Sequence, residues 1–204
     1  KDAVRIVRQR GRFMQEAVPE GRGAMTALIG LDTDAIRETC AAVSTEAAPV
    51  VAANINSPGQ VVISGEAGAV AEAGRLLKER GAKRVIPLPV SVPSHSPMMS
   101  GAAENLAKEL AEVTLSEFTV PIVTNVEATA LSDTTRVREL LTRQLTSPVN
   151  WVATIEYMAG FGIDTIIEIG PSTVLSSLTR RIDKSITTVN VSEPKDLKKL
   201  ANVL

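Results

Sequence analysis

The sequence predicts an α/β protein built in two parts. Residues 22–89 follow the order strand, helix, strand, strand, helix, strand, which is the split βαβ or ferredoxin-like unit. Beyond residue 90 apolar strands alternate with helices, the pattern of a parallel sheet with helices on its faces. With 204 residues, 44% of them hydrophobic, there is enough apolar material for a core in each part.

The elements can be justified in order. Residues 1–17 read as a helix on which Ala3, Val7, Arg10 and Met14 form one stripe at helical spacing, flanked by Ile6 and Phe13. Arg10 therefore falls in the middle of an apolar face. Ala24–Leu31 is an expected strand, and Asp34–Val43 a helix with Thr33 as its cap. Val50–Asn56 and Gln60–Ser64 are two strands joined by Ser57-Pro58-Gly59, a hairpin signal. Ala67–Arg80 is a helix stopped by Gly81. Lys83–Leu88 is a strand that Pro87 restricts to an edge or an early end.

Pro89 to Pro97 is a shaped loop, because prolines on either side of His95 exclude a helix interior. Pro97 suits the first turn of a helix running to Ala111. Pro121–Asn125 is a short strand and Thr134–Leu145 a helix. Ser147-Pro148 reads as a cap plus first-turn proline opening a helix to Ala159. Thr165–Ile169 is expected to be a central parallel strand, turning through Gly170-Pro171-Ser172 into helix Thr173–Ile182. Ile186–Val191 is the last strand, followed by a short amphipathic helix.

Composition excludes several function classes. The 22 Lys and Arg balance 23 Asp and Glu with no basic stripe, which argues against nucleic acid. Apolar runs such as Ile86–Val90 are too short for a membrane span, so a soluble cytoplasmic protein is expected. One cysteine, Cys40, precludes an internal disulfide, and it reads as a buried structural thiol. A single histidine makes a His-based metal site an unfavourable reading. Position 1 is Lys, the first methionine is Met14, and helix begins at once without a cap; a segment preceding Lys1 is expected.

His95 is the only imidazole available for acid–base work near neutral pH. No Gly-x-Ser-x-Gly elbow occurs in the chain, so the sequence offers a base without its nucleophile. A guanidinium on an apolar face, as at Arg10, calls for a carboxylate or phosphate partner. The plainer readings are a side chain that snorkels to solvent or an internal salt bridge. Gly170-Pro171-Ser172-Thr173 lacks the spacing of a phosphate-binding loop and reads as a structural turn; Glu168 before it has no evident role. Basic clusters stand at Lys78, Arg80, Lys83 and Arg84 and at Arg180, Arg181 and Lys184.

Five ordered segments carry a family resemblance. They are Arg10-Gly11-Arg12-Phe13-Met14-Gln15, Asn56-Ser57-Pro58-Gly59-Gln60-Val61-Val62, Pro89-Val90-Ser91-Val92-Pro93-Ser94-His95, Arg143-Gln144-Leu145 with Pro148-Val149 and Trp151, and Glu168 with Gly170-Pro171. Together they resemble the bacterial malonyl-CoA:acyl carrier protein transacylases of fatty-acid synthesis, over essentially the whole chain. The resemblance implies a hydrolase-like parallel-sheet large subdomain, here 1–21 and 90–204, incomplete at its N-terminus. A ferredoxin-like small subdomain, 22–89, is inserted in it.

By position, His95 matches the family's catalytic histidine and Gln144 the residue whose backbone carbonyl orients it. Arg10 matches the arginine that grips the malonyl carboxylate. Asn54 and Asn56 match cleft-lining positions that would meet the pantetheine arm or CoA. The implied partners are malonyl-CoA and phosphopantetheinylated acyl carrier protein, with no metal or permanently bound cofactor. The family's Gly-His-Ser-Leu-Gly elbow and early Gly-Gln-Gly-Ser-Gln segment are absent, which places nucleophile and oxyanion donors in the expected upstream segment. Other readings are an acyltransferase domain of a polyketide synthase, a non-catalytic carrier-protein-binding fragment, and a hydrolase that uses water.

Overall fold

The computed structural model describes residues 2–203. Helix α1 (Asp2–Ala17) leads into strand β1 (Gly23–Ile29), helix α2 (Thr33–Val43), strands β2 (Val50–Ser57) and β3 (Gln60–Glu66), helix α3 (Ala67–Glu79) and strand β4 (Arg84–Pro87). The four strands form one antiparallel sheet in the order β2-β3-β1-β4. Alternation along β3 explains its two faces: Val61 and Ile63 point into a core with Ile36 and Cys40 of α2 and Val70 and Leu77 of α3. Val62 joins Met25 and Ala53 on the other face. Burial pushes the Cys40 thiol up to about 12, so it stays a neutral packing group.

A second core lies between α1 and helix α4 (Ser100–Ala111). Ala102, Ala103, Leu106 and Leu110 make the buried stripe of α4, packed against Phe13, Met14 and Val18. The packed side of α1 is thus the expected flank, Ile6 and Phe13, together with Met14. Ala3 and Val7 are left exposed, Val7 at 67%. Expectation and structure differ here because α4 sits against that flank and leaves the line through Ala3, Val7 and Arg10 on an open cleft.

The remaining elements are β5 (Ile122–Val123), β6 (Ala130–Leu131), α5 (Val137–Arg143), α6 (Trp151–Gly160), β7 (Thr165–Ile169), α7 (Val174–Ile182), β8 (Thr187–Val191) and a closing 3-10 turn, Pro194–Asn202. Strands β5 and β6 pair antiparallel, and β7 pairs with β8 in parallel. Among the described residues β7 has no second neighbour, and Ile169 is 83% exposed, so here it is not the central strand expected.

Several boundaries move for local reasons. Asp32, not Thr33, caps α2, because its carboxylate accepts from the Asp34 N–H. Pro97 opens a 3-10 turn, Pro97–Met99, before α4 begins. The helix expected from Ser147-Pro148 starts only at Trp151, because Val149 is drawn into the sheet. Its N–H donates to Ala53 O at 2.9 Å and its carbonyl accepts from Ile55 N at 2.9 Å, a parallel bridge alongside β2. The helix expected over Thr134–Leu145 shrinks to α5, and β6 stands where the sequence predicts no strand.

Two contacts fix the ends of the frame. Glu168, buried at the end of β7, accepts from Leu175 N at 3.0 Å, Ser176 N at 2.9 Å and Ser176 Oγ at 2.6 Å, so it caps α7 from outside the helix. Burial works to raise its pKa, but the hydrogen bonds from Ser176, Leu175 and Ser172 outweigh this and hold it below the usual carboxylate range. At the start of β1, a Cβ on Gly23 would stand 2.4 Å from Pro93 Cδ and 2.6 Å from Ser91 O, so only glycine lets the proline loop lie against the sheet.

Glu168→Ala should cost about 1–2 kcal/mol in urea unfolding at pH 7, the loss of a helix cap. Because the folded pKa is depressed, that stabilisation is present above the ordinary carboxylate pKa. It fades as pH falls through the folded value, so parent and variant should converge in acid. Gly23→Ala should cost about 1–3 kcal/mol through overpacking; an unchanged unfolding midpoint would contradict the close approach.

Candidate active site

The loop from β4 to α4 packs against Gly23 at the start of β1 and delivers His95 into a cleft of about 770 Å³. Its walls include Ile6, Leu106, Leu110, Leu141 and Val149, and its polar groups include Arg10, His95 and Gln144. Three of the five residues singled out from sequence are thus brought together. Asn54 and Asn56 are not: both are half-buried on β2 and neither lines the cleft. Asn54 adjoins it only through its backbone bridge to Val149.

His95 has φ +62°, a left-handed conformation that costs a residue with a Cβ roughly 1–3 kcal/mol. Its Nδ1 lies 2.8 Å from the carbonyl oxygen of Gln144, 49 residues further on. A carbonyl can only accept, so Nδ1 carries the proton and Nε2 of the neutral ring keeps its lone pair. Gln144 can offer this carbonyl because it is the C-cap of α5, where the last carbonyls have no partner within the helix.

Burial pushes the imidazole below its ordinary pKa, and the positive charge of Arg10 adds to this; hydrogen bonds to the backbone at Gln144 and Ser147 act the other way. The net direction favours the neutral ring, the form a general base needs at pH 7.

Arg10 is half-buried, and burial lowers its pKa, though a guanidinium remains charged at any physiological pH. Among the described residues it has neither a carboxylate partner nor a hydrogen-bond acceptor. Neighbouring Arg5 and Arg12 on α1 do pair, with Glu109 and Glu16. A planar cation on an apolar wall beside a neutral imidazole is suited to hold a carboxylate while the imidazole moves a proton.

Asn125, which also lines this cleft, escaped the sequence reading. Its only signal was its place at the end of a short apolar strand. The basic clusters lie outside the cleft, and part of each is engaged internally. Lys78 Nζ donates to the Ala82 carbonyl at 3.0 Å, Arg80 to Thr39 Oγ1 at 2.9 Å, and Arg181 to Gln60 Oε1 at 2.5 Å. Among the described residues no group of three or more His, Cys, Asp or Glu side chains could hold a metal ion. No described helix is long and apolar enough to cross a membrane.

Residues 1–198 match the acyl transferase domain family. The chain is 50% identical over 196 residues to the malonyl CoA-acyl carrier protein transacylase of Salmonella typhimurium, covering 96% of this chain and 63% of that protein. It is 44% identical over 197 residues to the Bacillus subtilis protein of the same name, covering 97% and 62%. The crystal structure of an acyl carrier protein S-malonyltransferase from Vibrio cholerae superposes with TM-score 0.94 at 46% identity, covering 97% of this chain and 64% of that one. A type II PKS acyl-carrier protein complexed with its malonyl-transacylase gives TM-score 0.95 at 42% identity, covering 99% and 65%. The chain therefore spans about 63% of the length of its curated relatives, and on the match across residues 1–198 it belongs to the acyl transferase domain family.

Proposed function

We propose that this chain supplies the base and the carboxylate-binding group of a malonyl-CoA:acyl carrier protein transacylase. The observation that carries the reading is the pairing, in one apolar cleft, of a His95 held as its Nδ1–H tautomer by Gln144 with an Arg10 that has no partner among the described residues. In this reading residues 1–21 and 90–204 belong to a hydrolase-like large subdomain and 22–89 to a ferredoxin-like small one. The strand order β2-β3-β1-β4, with both helices on one face, supports the second assignment. A nucleophilic serine and the oxyanion donors would come from a segment preceding this sequence, since the chain holds no nucleophile elbow. The chain alone would then be inactive, and the whole protein would work in the cytoplasm.

The chemistry is ping-pong acyl transfer. The serine oxygen attacks the thioester carbonyl of malonyl-CoA as His95 Nε2 takes its proton. The C–S bond breaks, the sulfur of CoA takes that proton, and malonyl remains as a serine ester. The phosphopantetheine thiol of the carrier protein then gives its proton to Nε2 and attacks the ester. The serine oxygen leaves and is reprotonated by His95. Arg10 binds the malonyl carboxylate through both steps; Asn54 and Asn56, on β2 outside the cleft, would meet the pantetheine arm only where it runs on past Val149 over the small subdomain.

Arg10→Ala in the full-length protein should reduce malonyl transfer by about 100-fold or more, the cost of truncating one partner of a buried charge pair, while acetyl transfer is spared. Equal malonyl rates in variant and parent would sink the carboxylate role. The pH profile of acylation should show an acidic limb below the ordinary histidine value of about 6.5. Removing Arg10 deletes a nearby positive charge that holds the ring's pKa down, so in acetyl transfer the variant's limb should move to higher pH.

A further inference from the structure

Resting on the reading of His95 as the base, we propose that Ser96 is a positioning residue for it: its buried hydroxyl closes the turn that holds His95 in the left-handed conformation. Ser96 is 0% exposed, yet it follows directly on a residue that faces an open cleft. Its Oγ donates to the Pro93 carbonyl at 2.7 Å, a side-chain bond that spans the three residues back across His95 and Ser94.

Both ends of that bond are anchored independently. Pro93 is pressed against β1, where Gly23 leaves room for its ring. The Ser96 carbonyl accepts from Met99 N at 3.0 Å, which joins the turn to the 3-10 segment that opens α4. Ser94 N donates to the Val92 carbonyl at 2.9 Å and tightens the approach from the other side.

Two fixed points thus bracket His95, one on the sheet and one on α4. The Ser96 hydroxyl is the side-chain tie between them. Left-handed backbone at a residue with a Cβ persists only where its surroundings over-determine it. Without the tie, a swing of His95 into ordinary extended backbone would carry the ring away from the Gln144 carbonyl. The hydroxyl touches no cleft surface, so its contribution passes entirely through the ring it places.

The test compares Ser96→Ala with Ser96→Cys, which keeps a weak donor of similar shape, in the full-length protein. For Ser96→Ala we expect kcat for malonyl transfer to fall by about 10- to 100-fold with KM little changed, the signature of a misplaced base. With 15N-labelled histidine, assigned by a His95→Gln control, the Nδ1-bound proton held by Gln144 should be lost to exchange with water. Ser96→Cys should fall between parent and Ser96→Ala in both readouts. It also keeps the comparison open should Ser96→Ala not fold.

A drop in melting temperature with unchanged kcat and an unchanged Nδ1 proton in either folded variant would make Ser96 merely structural and overturn the proposal. Failure of the parent to transfer malonyl would sink the functional reading instead. The Nδ1 proton would still report whether Ser96 places the ring.

Discussion

The hydrogen bond from His95 Nδ1 to the Gln144 carbonyl is the constraint on which the site depends. It joins a loop that leaves the antiparallel sheet to the end of a helix in the other half of the molecule. The bond therefore exists only if both halves are correctly placed. Its acceptor is neutral, and that has a consequence. A carboxylate in the same position would hold the imidazolium more strongly and raise the pKa of the base. It would also add a negative charge to the cleft that Arg10 lines, where an anionic acyl group is proposed to bind. A backbone carbonyl fixes tautomer and orientation with no charge of its own, and its upward pull on the pKa is outweighed by burial, so the cleft keeps its positive potential for the substrate proposed.

The segment around Gln144 makes that placement rigid by bonding in three directions. Gln144 holds His95. Val149 enters a parallel bridge beside β2 and so fastens the segment to the small sheet. Asn150 donates through its N–H to the Asn125 carbonyl at 3.0 Å and through Nδ2 to the Val126 carbonyl at 2.9 Å, which brings Asn125 to the cleft. From α5, Arg138 Nε and Nη2 donate to the carbonyls of Leu110 and Val113, at 2.9 and 2.7 Å, and cap the far end of the helix that follows His95. Arg136 and Arg143 share Glu127 and Glu139 on the exposed side, a network that screening makes weaker than its short distances suggest.

What could be read in the sequence was what depends on local pattern. The βαββαβ order was legible because strand alternation, the Ser57-Pro58-Gly59 turn and two amphipathic helices each announce themselves within a dozen residues. His95 was legible as the single imidazole, and Arg10 as a charge interrupting an apolar stripe. Less visible was anything set by tertiary pairing. Val149 belongs to a sheet edge some ninety residues earlier in the chain, so Ser147-Pro148, a sound helix start by local chemistry, is overruled. The orientation of α1 was misjudged by part of a turn because a helical wheel shows the apolar face but not which side of it a neighbour takes. Glu168 had no readable role because its partners, Leu175 and Ser176, present backbone N–H groups that no sequence pattern displays. Gln144 acts through a carbonyl that every residue possesses, so only the resemblance could single it out.

Arg10 shows how an unfavourable residue becomes informative once its surroundings are known. Along α1 the other arginines with acidic neighbours find them, Arg5 with Glu109 and Arg12 with Glu16, both largely in solvent where such pairs contribute little. Arg10 alone is turned into the apolar wall, where a pair would be strongest and where no carboxylate of the described chain reaches it. Desolvating a guanidinium without a partner costs stability and yields nothing in return within the fold. Such a cost makes physical sense when a ligand supplies the missing charge. A carboxylate-bearing acyl group restores the pair in a low-dielectric cleft, whereas an acyl group of the same length without one leaves the cation desolvated and unpaired. In the proposed reaction discrimination would then come mainly from the penalty on the wrong substrate, set by burial of Arg10 as much as by its charge.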